Sequence, residues 1–292
     1  MAVIVPPIKC QGIKTKIVPV IKSAITQPIK ERWIEPFCGS CVVAFNVQPQ
    51  RALLTDTNQH IIAFYSSLQN GSTTVSDVVH HLETEGRNLK EKGEKHYYEI
   101  RGRFNESGNP LDFLFLNRSC FNGVIRFNSK GKFNTPFCRK PERFSQSYIT
   151  KIANQVRAVC DVMHGKDWAF EVKDFKKTLS KANKDDLVYA DPPYIGRHTD
   201  YFNKWSDENE FELQADLKNL PCKFILSTWQ ENKYRRNENV EAFQKNNDVN
   251  VISVKHFYHV GSTESLRHEM MEAVITNCTL RVSGTEKTVL SL

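Results

Sequence analysis

The sequence predicts an open α/β sheet interrupted by a second, mostly helical unit. Short apolar runs alternate with helical patterns in the first and last thirds, several of these runs end on an acid, and the middle third does not alternate. Arg32 to Ile34 reads as a short strand entering the loop Glu35-Pro36-Phe37-Cys38-Gly39-Ser40. Ala52 to Thr55 is a second strand ending at Asp56, after which Asn58 or Thr57 can cap a helix through Leu68. Leu187 to Ala190 is a strand ending at Asp191, and Lys223 to Thr228, Val249 to Val254 and Met271 to Thr276 are further strands. Ser206 or Asp207 can cap a helix carrying Phe211, Leu213, Leu217 and Leu220. In the middle third, Ile149, Ile152, Val156, Val159, Cys160 and Met163 fall on one helical face. Residues 59–165 are therefore expected to be an insertion, with 1–58 and 166–292 forming the sheet domain around it.

With 292 residues and 40% apolar content the chain can build a substantial core. A net charge of +7 argues weakly for a polyanionic partner. No run approaches the roughly eighteen apolar residues of a membrane span, so no membrane association and a place in the cytosol are expected. The eight cysteines are scattered, which predicts reduced thiols. Cys38 and Cys41 form a C-x-x-C without a second ligand pair at zinc spacing; they read as two small residues in a tight loop, and no metal is expected.

Charge is concentrated locally. Arg118 to Arg143 holds seven basic residues (118, 126, 130, 132, 139, 140 and 143) against the single acid Glu142, interleaved with Phe121, Phe127, Phe133 and Phe137. Asn122-Gly123 and Lys130-Gly131 offer hairpin turns. Cationic side chains contact phosphates, Arg and Asn can read base edges, and an aromatic ring can fill a gap in a base stack, so this composition suits nucleic acid. A solvated basic loop anchored by core phenylalanines accounts for it equally well.

The sharpest motif is Asp191-Pro192-Pro193-Tyr194, directly after a strand. Two successive prolines stiffen the chain and hold the Asp191 carboxylate and the Pro192 carbonyl in a fixed relation. Two such acceptors can bind both hydrogens of an exocyclic base amine, favour pyramidal nitrogen and aim its lone pair at an electrophile. Tyr194 can stack on the base, which must first be extruded from a duplex. The electrophile belongs beside the 35–40 loop, where Gly39 permits close approach and Asp56 can accept from ribose hydroxyls. G-x-G-x-x-G and the P-loop are both absent, which disfavours a dinucleotide dehydrogenase and phosphoryl transfer; a sulfonium methyl donor fits and needs no metal.

Taken in order, Lys9-Cys10-Gln11-Gly12-Ile13-Lys14, Glu35-Pro36-Phe37-x-Gly39, Asp56-x-Asn58, Phe121-Asn122-Gly123-x-x-Arg126-Phe127-Asn128, Asp174-Phe175 and Asp191-Pro-Pro-Tyr194 resemble the Dam-like, D12 class N6-adenine DNA methyltransferases. The resemblance spans residues 6 to about 277 and is strongest to the EcoRV-type modification enzymes over Leu111 to Pro141 and Leu187 to Asn203. It implies a Rossmann-like methyltransferase sheet with an inserted target-recognition domain carrying a β-hairpin. The implied reaction moves a methyl group from S-adenosylmethionine to adenine N6 in duplex DNA. The catalytic residues would be Asp191, Pro192, Pro193 and Tyr194. Cys10, Lys14, Phe37, Gly39, Asp56, Asp174, Phe175 and Asp191 would line the cofactor site, although the family's tryptophan is replaced by Cys10. Lys9, Arg118, Phe121, Asn122, Arg126, Asn128, Lys132 and Pro136 would contact DNA. A monomer in a bacterial or phage-infected cell is implied, with a restriction endonuclease that shares the site as a possible companion. The implied target contains GAT, with GATATC leading and GATC the alternative. N4-cytosine or RNA-base methylation and a non-catalytic DNA-binding protein are the competing readings.

Overall fold

The computed structural model describes residues 2–194, 205–231, 237–244, 248–257, 269–279 and 289–291. Among the described residues eight strands form one sheet: β1 (Trp33–Glu35), β2 (Arg51–Asp56), β3 (Asp167–Val172), β4 (Leu187–Ala190), β5 (Lys223–Glu231), β6 (Asn250–Phe257), β7 (Glu269–Thr276) and β8 (Val289–Ser291). Their order is β3-β2-β1-β4-β5-β7-β6-β8. β1 to β5 are mutually parallel, whereas β7 runs antiparallel to both β5 and β6. This is the expected Rossmann-like α/β sheet.

A parallel sheet needs cover on both faces, and the pleat sends successive side chains to opposite sides. Trp33, Leu54, Leu187, Tyr189, Ile225 and Val274 face one core with α1 (Val18–Ala24), α2 (Val42–Val47) and α3 (Gln59–Gln69). Ile34, Leu53, Val188, Ala190, Phe224, Leu226 and Ile275 face the other, with α8 (Phe175–Leu179), α9 (Asp207–Lys218) and α10 (Glu238–Gln244). The caps read from the sequence are in place: the Asn58 Oδ1 accepts from the His60 and Ile61 amides, and Ser206 forms a capping box with Asn209.

Between β2 and β3 the chain is helical: α3, α4 (Val75–Lys92), α5 (Glu94–Ser107), α6 (Pro110–Ser119) and α7 (Gln146–Met163). α3 packs on β2 and β3, so residue 59 begins a helix that lies on the sheet. One hydrophobic cluster continues from the sheet through α3 into α4–α7. The Arg103 guanidinium bonds both Asp112 and Glu85 there, and Glu85 also bonds His96.

The expected hairpin is present in reduced form. Residues 120–137 double back through two isolated bridges, Cys120 with Phe137 and Phe127 with Phe133, instead of two regular strands. Phe121–Gly123 forms a tight 3-10 turn with Asn122 at φ 53°, and Pro136 has no N–H to extend the ladder.

Candidate active site

The C-terminal ends of β1, β2, β4 and β5 converge where the strand order reverses, between β1 and β4, the usual ligand crevice of such sheets. At the end of β4, the Asp191 Oδ1 lies 2.7 Å from the Lys14 ammonium and accepts from the Ser227 hydroxyl at 3.1 Å. Lys14 is buried, also donates to the Gly12 carbonyl, and sits 4.9 Å from the Tyr194 ring centre. Behind Ser227 the Tyr189 hydroxyl lies at 2.8 Å, with its ring stacked on Trp33. Among the described residues Oδ2 of Asp191 has no hydrogen-bonding partner. Burial pushes the Asp191 carboxyl up, while Lys14 and Ser227 pull it back toward the charged form. Tyr194 is buried against Trp229 and donates to Glu272 at 3.3 Å.

The neighbouring loop is held as firmly. The Cys38 amide donates to Thr55 at 2.9 Å, and the Tyr65 hydroxyl to Ser40 at 2.8 Å. Asp56 accepts from the Gly39 amide through Oδ2 and from the Asn58 amide through Oδ1. A carboxylate oxygen offers two lone pairs, so each retains capacity for a hydroxyl. Gly39 sits at φ 45°, where a side chain would be strained. Half-buried Phe37 stacks on Phe175 at 5.6 Å and meets Trp205 edge-on, giving an aromatic wall beside Asp56. Asp174 caps α8 through the Lys177 amide.

Three buried groups beside this site, Glu35, Ser227 and Glu272, have no role of their own in the sequence pattern. Glu35 accepts from the Trp33 indole at 2.7 Å, and burial pushes its carboxyl up to about 8. Glu272, almost wholly buried on β7, holds the Tyr194 hydroxyl. Neither it nor Ser227 carries a local signal, because each meets the site across strand pairs. Cys10 lies by the Asp56 side of the pocket, and burial, with Asp56 adding to it, pushes its thiol well up. Cys38 and Cys41 are buried, with the Cys41 amide bonded to the Cys38 carbonyl. Among the described residues no group of three or more His, Cys, Asp or Glu could hold a metal, and no helix is long and apolar enough to cross a membrane.

Residues 9–14 run from this site to the basic segment. Lys14 reaches Asp191, whereas the Lys9 backbone is clamped by Asn117 through bonds of 2.8 and 2.9 Å. The Lys9 stem lies across Gly123, where an added Cβ would come within 2.6 Å of it. The adjoining turn presents Phe121, 53% exposed, beside exposed Asn122. Of the four interleaved phenylalanines, Phe133 and Phe137 belong to the core, and Phe127 stacks on His60. Arg126 is half-buried and forks onto the Asn134 side chain and carbonyl across the hairpin. Lys132 and Pro136 are exposed; the Lys132 ammonium donates to the Asn105 carbonyl, and the Pro136 carbonyl accepts from Phe121.

Two expected DNA contacts have side chains engaged within the protein. Arg118 is only 3% exposed and bonds Gln155, because the end of α6 is packed on every side. The Asn128 side chain closes its own turn by accepting from the Lys130 and Lys132 amides. Residues 195–203 of the second EcoRV-like stretch lie outside the described residues.

A sheet of this order, with an Asp-Pro-Pro-Tyr corner beside the Gly39–Asp56 loop at its switch point, is the arrangement expected of a methyltransferase. The family model of the D12 class N6 adenine-specific DNA methyltransferases matches residues 11–260, and the chain belongs to that family. Type II methyltransferase M.FokI of Planomicrobium okeanokoites is 29% identical over 261 residues, which cover 85% of this chain but only 39% of that protein. The DNA adenine methylase of Haemophilus influenzae is 31% identical over 223 residues, covering 74% of this chain and 73% of the relative. Type II methyltransferase M1.LlaDCHI of Lactococcus lactis subsp. cremoris is 24% identical and covers 93% and 95% respectively.

Proposed function

We propose that the chain transfers a methyl group from S-adenosylmethionine to the N6 of an adenine everted from duplex DNA, acting as a sequence-specific modification enzyme in the cytoplasm. The observation that supports this most directly is the fixed state of Asp191: one carboxylate oxygen is committed to Lys14 and Ser227, and the other has no described partner.

The residues present fit the cofactor. Asp56 keeps acceptor capacity for ribose hydroxyls, Gly39 lets backbone approach, and the Phe37–Phe175–Trp205 wall gives an adenine a flat surface. When bound, S-adenosylmethionine supplies a methyl already activated by its sulfonium. Lys14 favours the charged form of Asp191 and orients it. Oδ2 of Asp191 and the Pro192 carbonyl each accept one N6 hydrogen, turning the nitrogen lone pair toward the methyl. Tyr194 packs on the everted base, and Glu272 holds its hydroxyl. The proton released from nitrogen passes to water. No step calls for a metal.

Residues 59–165 serve as the target-recognition unit in this reading. Phe121 fills the gap left by the everted base, Asn122 supports it, Arg126 and Pro136 contact base edges, and Lys9 contacts the DNA beside them. The target contains GAT, with GATATC favoured through the EcoRV-like stretch and GATC the alternative. Relatives named type II methyltransferases support a role beside a restriction endonuclease. Sequencing DNA from cells expressing the protein, with detection of modified bases, tests all of this together. N6-methyladenine confined to one GAT-containing motif is expected; methylation on cytosine, or none, overturns the reading.

A further inference from the structure

We propose that Lys9, Arg118, Arg143 and the Tyr148 hydroxyl form a seat for one backbone phosphate of the DNA, directly beneath the Phe121–Asn122 turn. This rests on the DNA-binding reading above and assigns to the DNA backbone Arg143 and Tyr148, which the family resemblance leaves without a role.

The geometry is a convergence of three cations on one phenol. Arg143 Nη2 donates to the Tyr148 hydroxyl at 3.0 Å, while its Nε donates to the Arg118 carbonyl at 2.9 Å. The two guanidinium carbons lie 4.6 Å (Arg143) and 5.7 Å (Arg118) from the Tyr148 ring centre. Lys9 approaches the same hydroxyl from the opposite chain segment. Arg118 is the floor: it is buried, and its Nε has no hydrogen-bond partner. Lys9, Arg143 and Tyr148 are half-buried, so the top stays open.

Among the described residues no carboxylate forms an ion pair with Lys9, Arg118 or Arg143. The ionisable groups that act most strongly on Lys9, Arg118 and Tyr148 are one another, Arg143 and Tyr65, none of them a carboxylate. Glu142, the nearest acid in sequence, turns to Lys90 instead. Burial lowers the Lys9 and Arg118 pKa values. Burial pushes the Tyr148 phenol up, but the pull of Arg118, Lys9 and Arg143 outweighs it and leaves its pKa below the ordinary value. A neutral hydroxyl is a poor counterpart for three partly desolvated cations, whereas a phosphodiester offers a full negative charge and two free oxygens, to which an arginine fork is matched. A base edge is neutral and is read by a single fork, so convergence of three cations favours phosphate. The seat lies where a positioning contact is useful, because Lys9 crosses Gly123 of the turn that carries Phe121.

The test is the salt dependence of duplex binding by wild-type protein, Arg143→Ala, Arg143→Gln and Arg143→Lys, on target and unrelated sequences. Loss of one phosphate contact should flatten the slope of log affinity against log salt by about 1 in the Ala and Gln variants, weaken both duplexes by the same factor, and be largely restored by Lys. Matched melting temperatures for Gln and wild type separate this from misfolding. An unchanged slope in Ala and Gln while wild type binds DNA would overturn the seat and leave the methyltransferase reading standing. Weakening on the target alone would make Arg143 a base reader and overturn the seat as well. Absence of wild-type binding to any duplex would overturn the DNA reading and the seat with it.

Discussion

The strand-end crevice and the basic turn both carry buried or half-buried charge, yet they treat it in opposite ways. In the crevice the charged groups are engaged by fixed partners: Lys14 pairs with Asp191, Asp56 accepts from two amides, and Glu272 accepts from Tyr194. Around Tyr148 three cations gather with no carboxylate paired to them among the described residues. Desolvated charge is costly unless compensated, so the first arrangement is complete in itself and fixes geometry, whereas the second is completed by an anion from outside. Preorganisation belongs to the chemistry and unmet charge to the binding of the polyanion.

The largest expected effect is at the crevice. Asp191→Ala removes the oxygen that receives the amine and leaves Lys14 without its counter-ion; methyl transfer should fall below detection while duplex binding at the turn persists. Loss of both at once, measured by filter binding beside a labelled-methyl assay, would break the contrast between the regions.

A second prediction concerns buried acid. The Glu35 pKa rises from 4.5 to about 8, so the folded state keeps a proton that the unfolded chain releases. Its contribution to stability is therefore fully present below about pH 4.5 and is lost as pH climbs to about 8, an effect on the order of a few kcal/mol. Glu35→Gln keeps an oxygen for the Trp33 indole and removes the titration. Chemical denaturation at several pH values should show a flatter decline for the variant; parallel curves would place the charge elsewhere.

At the turn, Arg126→Ala should relax discrimination at one base pair by roughly 1–3 kcal/mol. Competition binding with single-substituted duplexes reports it, and equal weakening on every sequence would reassign Arg126 to the phosphates. The smallest effect is expected for Ser227→Ala, which removes one hydrogen bond to a charged group and should lower kcat about tenfold, with KM for the methyl donor little changed. A change confined to KM would mean that Ser227 positions cofactor, not Asp191.

Much of the crevice was legible because its residues follow strands and carry local signals. β4 is a continuous buried run stopped by Asp191, and Asn58 marks the start of α3. β3 went unread because its burial alternates only weakly at the sheet edge. The capping box Thr74–Asp77 marked the start of α4 but was hidden by the absence of strand alternation around it. Ser227 and Glu272 reach Asp191 and Tyr194 only through strand pairing, which no local window records. Arg118 shows the opposite failure: a cation inside a basic run reads as surface, yet α6 from Asp112 to Ser119 is buried all round.

Incubation of the purified chain with a duplex containing GATATC and GATC sites and methyl-labelled S-adenosylmethionine, followed by digestion to nucleosides, addresses the central claim most directly. The label should appear in N6-methyldeoxyadenosine. Label in a cytosine nucleoside, or none despite demonstrated binding of cofactor and DNA, would contradict the assignment of the Asp191–Pro192 corner to adenine N6.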